Sequence, residues 1–186
     1  MSYVEVLDTD IDSPRLFEDF MSVLRNHELL EHQQISITSI NGNNDWLCSV
    51  GKIRDLQYPE RFYSKINDAF KGTYVEELIS RYPQYYRWRA MRLQGRSTYS
   101  VHADNEGYLH NYRVHIPVFT TEKCFLCFFD KLPESGKSSV VHYEHLPIGQ
   151  SYKVNTTNLH TAVNYGIDNR YHIVGVRYEN SDNRTQ

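Results

Sequence analysis

Hydrophobic and polar positions follow two periods along this chain. Before about residue 84 the apolar residues recur mainly at helical spacing, and after it they alternate in short runs separated by turns. Leu16, Phe17, Phe20, Met21 and Leu24 mark one face of an amphipathic helix ending near Arg25, with Ser13 as N-cap and Pro14 at the first helical position. Ile35 and Ile37 alternate with polar neighbours ahead of an Asn41-Gly42 turn signal. Residues 35–53 therefore predict a hairpin whose second strand runs from Trp46 to Ile53. A second helix is predicted from Pro59 through Phe62, Ile66 and Phe70 to Gly72. A third runs from about Tyr74 to Arg81, opened by a Thr73/Glu76 capping box and stopped at Tyr82-Pro83. Residues 1–12 predict irregular chain or one short strand.

From Tyr85 the pattern predicts strands at 86–93, 98–104, 111–118, 123–130, 138–143, 151–155, 159–164 and 170–178. Turn residues separate them at Gly95, 105–107, 133–136, 147–149 and 166–169. Short strands at this spacing after a helical lead-in predict a mainly β (α+β) chain with N-terminal helices and a double-stranded β-helix core of the jelly-roll or cupin kind. The run CFLCFFD is apolar on both faces, which predicts a central, covered strand. The expected organisation is one domain over residues 1–186: a helical and hairpin support at 1–84, the core at 85–179, and a polar tail at 180–186.

Composition narrows the partners. A net charge of -3 gives no reason to expect a nucleic-acid binder. No apolar run reaches membrane-spanning length, and the N-terminus lacks the basic and apolar regions of a signal peptide. Cys48, Cys124 and Cys127 are an odd, sparse set, read as reduced thiols in the cytoplasm. The sequence specifies no oligomeric state.

The candidate chemistry lies in His102-Ala103-Asp104, in Asn158-Leu159-His160, and in Arg170. Two histidines and one carboxylate hold non-heme Fe(II) on one face and leave the opposite positions open. On a strand, the i, i+2 spacing of His102 and Asp104 puts both on one side, and a third ligand from a distant strand closes the set. If 111–118 is a regular strand, Arg113, His115 and Pro117 share a face, while Tyr112, Val114, Ile116 and Val118 turn to the core. Arg170 and His172 likewise share a face.

The segments YSVHADNEGYLHNYRVHIPVFT and NTTNLHTAVNYGIDNRYHIVGVRY resemble the aspartyl/asparaginyl β-hydroxylase-like branch of the Fe(II)/2-oxoglutarate-dependent oxygenases. The resemblance covers roughly residues 86–178. It implies a double-stranded β-helix with Fe(II) at its mouth, 2-oxoglutarate as co-substrate, and O2 as oxidant. Under it, His102, Asp104 and His160 match the metal ligands. Arg170 matches the residue that binds the distal carboxylate of 2-oxoglutarate, His115 one near the other carboxylate, and Arg113 one that holds a substrate or co-substrate acid group. The implied activity is hydroxylation of an unactivated C–H bond of an amino acid, free or within a peptide, with succinate and CO2 as co-products. The branch includes proline hydroxylases. Asp104 is kept here, whereas some relatives lose that carboxylate, so hydroxylation is the expected outcome. One departure is visible: a small hydroxyl residue that relatives use on the co-substrate is missing from Arg89-Ala90-Met91-Arg92-Leu93, with Tyr99 as a replacement. The Pro-Gly expected before the metal strand is Gln94-Gly95.

Plainer readings stand beside these. Arg113 pairs with Asp104 or a loop acid, His115 is a cavity wall, and His172 is a satisfied pocket or core histidine. Arg87 and Arg89 line a solvated edge in preference to binding a carboxylate. His110, His142 and His145 belong to loops and strand ends, and Asn158 holds a turn or orients His160. Cys124 and Cys127 spell CxxC but face opposite sides of a strand, against a zinc or redox role. Loops 105–110 and 131–150 and the N-terminal helices are expected to select the substrate. The alternatives in function are a non-catalytic cupin-type metal- or ligand-binding module, or a cupin enzyme using another metal without 2-oxoglutarate.

Overall fold

A computed structural model describes residues 2–52, 55–104, 110–130 and 139–179. The elements in order are β1 (Val4–Asp8), α1 (Ser13–Asn26), β2 (Gln34–Ser36), β3 (Thr38–Ser39), β4 (Lys65–Ile66), α2 (Tyr74–Ser80) and β5 (Tyr86–Leu93). They continue with β6 (Ser97–Thr98), β7 (His110–Phe119), β8 (Cys124–Phe129), β9 (Val140–Glu144), β10 (Ser151–Asn155), β11 (His160–Asn164) and β12 (Arg170–Glu179). A six-stranded sheet has the order β1-β10-β7-β12-β5-β2, a four-stranded sheet the order β6-β11-β8-β9, and β3-β4 form a two-stranded ribbon. Every pairing is antiparallel. The architecture is the mainly β, cupin-like double-stranded β-helix that the alternation predicts.

Alternation on β7 builds both sides of the large sheet. Val114, Ile116 and Val118 point into a core shared with Leu16, Phe20 and Leu24 of α1 and Val75 and Leu78 of α2. Each such side chain, taken out of water, contributes about 2 kcal/mol, and this apolar face is what seats the helices. The opposite face of the same strand carries Arg113 and His115 into a cavity between the two sheets. A smaller cluster of Leu93, Leu126, Phe128, Val154 and Ala162 closes part of the other side.

The N-terminal third departs from expectation. Asp12, not Ser13, caps α1, its side chain accepting from the Arg15 amide. The Asn41-Gly42 turn exists, with Gly42 at φ 84°, but the hairpin does not. β2 pairs with β5, β3 pairs with β4, and residues 46–52 form turns. The helix expected over 59–72 is two short 3-10 turns, Glu60–Phe62 and Asp68–Phe70, flanking β4. Asn67 explains the break: its main-chain amide donates to Ile37 O and its side-chain amide to Ser36 O, which draws the chain onto β2–β3 instead of into a helical turn. α2 keeps Thr73 as N-cap, but the threonine hydroxyl donates to Phe70 O and Glu76 accepts from Gly72, so no reciprocal box forms.

Three further expectations shift. Of 98–104 only Thr98 lies in a strand, as the end of β6, with His102 held by an isolated bridge. β8 lies between β11 and β9 as a central strand, yet its outward residues Phe125, Cys127 and Phe129 are half-exposed, because only one face of the small sheet is covered. β5 is an interior strand between β12 and β2, so Arg87 and Arg89 are buried and line the cavity instead of a solvated edge. Ile53, the turns at 105–107 and 133–136, and the tail at 180–186 lie outside the described residues. Among the described residues no helix is long and apolar enough to cross a membrane.

Candidate active site

His102 and His160 meet across an isolated antiparallel bridge, exchanging main-chain bonds of 3.0 and 2.8 Å. The Asp104 amide donates to Thr156 O at 2.8 Å. These bonds bring His102, Asp104 and His160 together, with one ligand atom from each lying within 4.8 Å of the others. His102 Nδ1 lies 2.8 Å from Ser100 O and His160 Nδ1 lies 2.9 Å from Asn158 O. A carbonyl only accepts, so both rings carry their proton on Nδ1 and leave the Nε2 lone pair free for a metal. Asn158 thus orients His160 through its main chain, while its side-chain amide reaches Asn155 O across the turn. Burial lowers the basicity of His160 and prevails over the Asn158 hydrogen bond and the Asp104 charge, which favour the protonated ring.

Asp104 is an anion held in place. Burial opposes its ionisation, but the Arg113 charge outweighs that cost, helped by His160 and His102, and its carboxyl sits well below the usual range. Arg113 Nε donates to Asp104 Oδ2 at 3.0 Å. Oδ1 is left facing His102 Nε2 at 3.9 Å. Two imidazoles and one ionised carboxylate, each with a second atom already engaged, are the donor set that suits a first-row divalent metal such as Fe(II).

The cluster opens onto a cavity of about 480 Å³ walled by Arg87, Arg89, Arg113, His115 and Arg170 from the large sheet and by Leu126 and Ala162 from the small one. Arg87 is neutralised by Glu60 in a fully buried ion pair and also donates to Ser49 O and Gly51 O. Arg113 answers Asp104. Arg170 is different: it is 4% exposed, among the described residues its Nε has no hydrogen-bond partner, and its Nη2 lies 3.4 Å from His172 Nδ1. Burial lowers it to about 10, so it is still a cation at neutral pH. His115 and His172 lie with Nδ1 atoms 3.4 Å apart, and burial followed by the Arg170 charge pushes both well below the usual histidine range. His172 is buried, and among the described residues its Nε2 has no partner. Tyr99 lines the cavity, and its hydroxyl donates to Arg92 O.

Sequence reasoning thus reached the residues gathered here, but missed Glu60 and Gln34. Glu60 lay inside a supposed helix. Gln34, which accepts from Arg89 at 3.1 Å, lay just before a supposed hairpin. The available signal was the spacing Arg87-Trp88-Arg89-Ala90 on a strand flanked by others: with Trp88 and Ala90 turned to the core, the arginines have only an interior cavity to face.

No family model and no curated protein sequence matches the chain. Solved structures do. HygX from Streptomyces hygroscopicus, in a structure with nickel and 2-oxoglutarate bound, superposes with a TM-score of 0.57 at 9% identity, over 97% of this chain and 83% of that one. An iron-bound HygX structure gives 0.55 at 10% identity over the same shares. SnoN, a non-heme α-ketoglutarate-dependent epimerase from nogalamycin biosynthesis, gives 0.51 at 11% over 96% and 78%. A 2OG-Fe(II) oxygenase-family protein from Burkholderia pseudomallei overlaps more narrowly: the chain spans 43% of its length, with a TM-score of 0.38 at 14% identity over 50% of this chain. HygX and SnoN share this fold.

Proposed function

We propose that this chain is an Fe(II)- and 2-oxoglutarate-dependent dioxygenase of the aspartyl/asparaginyl β-hydroxylase-like kind. Its reaction is hydroxylation of an unactivated C–H bond of an amino acid, free or in a peptide. One observation carries the reading: a His–Asp–His donor set and an unpaired buried guanidinium open into a single cavity. A metal-binding module needs the first and has no use for the second. That HygX, sharing the fold, has been captured with iron, and separately with nickel and 2-oxoglutarate, supports it.

His102, Asp104 and His160 would hold the iron. When bound, iron with 2-oxoglutarate and O2 supplies the oxidising power: the co-substrate is decarboxylated to succinate and CO2, and one oxygen atom is inserted into the C–H bond. The protein's own residues do the rest. Arg170 grips the distal carboxylate through its planar fork, a contact that also relieves an otherwise uncompensated buried charge. His115, neutral and buried beside His172, presents an uncharged imidazole to the co-substrate's other end. Arg113 fixes the Asp104 carboxylate. Leu126, Ala162 and Val174 keep that part of the wall apolar, which strengthens every charged contact inside.

The test is anaerobic loading with Fe(II), then succinate formation from 2-oxoglutarate on admitting O2, beside His160→Ala. Succinate from the native protein alone is the expected result. If 2-oxoglutarate neither yields succinate nor raises the melting temperature of the Mn(II)-loaded protein, the non-catalytic binding module replaces this reading.

A further inference from the structure

Arg89 is the second unpaired guanidinium of the cavity, and the proposed function does not use it. It is 6% exposed, and among the described residues its Nε has no partner and its one side-chain hydrogen bond, from Nη1, goes to the neutral amide oxygen of Gln34 at 3.1 Å. Among the described residues no carboxylate lies within ion-pair distance of it. The acids nearest in the cavity are committed elsewhere, Glu60 to Arg87 and Asp104 to Arg113. With Arg87 and Arg113 each paired to one of those acids, Arg89 is left as a cation without a counter-charge, and burial above all disfavours its charged form.

Arg89 and Arg170 are not two halves of one clamp. The large sheet sets Arg89 opposite Val174 on β12 and Val174 opposite His115 on β7, so these three form one row across the cavity wall. Arg170 lies four residues along β12 from Val174, on the order of 13 Å in the strand direction. The charged neighbours differ in part: Arg87, Arg113, Glu60 and Asp104 bear on Arg89, Cys124 bears on Arg170, and Tyr99 lies between and feels both arginines. Arg170 thus lies along the strands from His115, and Arg89 lies across them, roughly 10 Å away with β12 between. A cavity of about 480 Å³ is in the range that holds a drug-sized ligand, more than one small dicarboxylate requires.

Resting on the dioxygenase reading, we infer that Arg89, with Gln34 beside it, is the anion subsite for the substrate to be oxidised, and that this substrate carries a carboxylate. The planar guanidinium offers paired N–H donors to two oxygens of one carboxylate, and Gln34 has an amide N–H₂ to add a third. The carboxylate is either the α-carboxylate of an amino acid or the side-chain carboxylate of an acidic residue in a peptide.

The experiment uses the full chain loaded with Mn(II) and 2-oxoglutarate without O2. Melting temperatures are recorded with free and N-acetylated amino acids, each as the acid and as the α-carboxamide. The Fe(II) protein in O2 is then assayed for accelerated succinate formation. The expected result is that acids stabilise and accelerate at least tenfold more than their neutral carboxamides, and that this gap closes in Arg89→Gln. Stabilisation by N-acetyl-aspartate or N-acetyl-glutamate α-carboxamides identifies the side-chain source, and its absence identifies the α-carboxylate. Arg89→Met, which removes an unpaired buried charge, should melt higher than the native protein when no ligand is present. Carboxamides equal to acids, no response to any compound, or loss of the 2-oxoglutarate shift in Arg89→Gln would each overturn the assignment while the dioxygenase reading stands. A native protein indifferent to 2-oxoglutarate would instead bring down that reading, and the inference with it.

Discussion

The two walls of the cavity treat buried polar groups in opposite ways. On the small-sheet side, His102 and His160 each give one ring N–H to a main-chain carbonyl, and Asp104 is locked by Arg113. Apart from Arg113 Nη1, these groups are already held by the protein itself, and their geometry is set without a metal. On the large-sheet side, Arg89 and Arg170 are buried with donors unmet. The first wall is pre-organised, and the second is held charged and unpaired by the strands that carry it. Under the proposed function, a metal would be met by fixed donors, and the organic acids would be drawn in by a deficit of negative charge.

The largest break in this contrast is His160→Ala, which removes one imidazole of the proposed metal set and leaves the main-chain bridge to His102 in place. Mn(II) affinity, read by electron paramagnetic resonance titration, should fall by more than about 100-fold. Next is Arg170→Leu. The 2-oxoglutarate Kd from calorimetry should rise roughly 100-fold, the size expected when one partner of a buried, hydrogen-bonded charge pair is lost. The ligand-free variant should melt no lower than the native protein, because a charge without a partner has been removed. Third is Gly175→Ala, on the apolar back of the same sheet: an added Cβ would lie 2.8 Å from the Trp88 indole. Overpacking of this kind costs about 2 kcal/mol, or roughly 5 °C in melting temperature, with the metal and acid sites left chemically intact. The smallest effect is Arg113→Met, which frees Asp104 without touching the histidines. About tenfold weaker Mn(II) binding is expected, with the 2-oxoglutarate shift preserved once metal is saturating.

These residues also mark how far the sequence could be read. From Tyr85 on, most strands were legible because alternation and turn residues agree there, as in β5, β10 and β12. Before that point two local signals misled. Phe62, Ile66 and Phe70 are spaced like a helix face, yet Phe62 is exposed and Tyr63 is the buried neighbour, since β4 intervenes. The Asn41-Gly42 turn is real, but the strands it connects find partners distant in sequence, and nothing local encodes that. In the site, His102, Asp104, His160 and Arg170 were legible as types at a spacing. The burial of Arg89 was not, because it depends on β2 covering β5.

Arg87 sits at φ 50°, at the point where β5 slips against β12: Arg89 faces Val174, Tyr86 faces Val176, and Arg87 with Trp88 share Gly175 between them. Arg87 is therefore a supernumerary residue, inserted into the strand without changing which way its neighbours look. Excising it would forfeit the pairing with Glu60 but leave Tyr86, Trp88 and Arg89 on their present sides. Excising Ala90 or Met91 would turn over every side chain on one side of the cut. The strand has one place where the chain can shorten and keep its faces, and that place lies at the cavity wall.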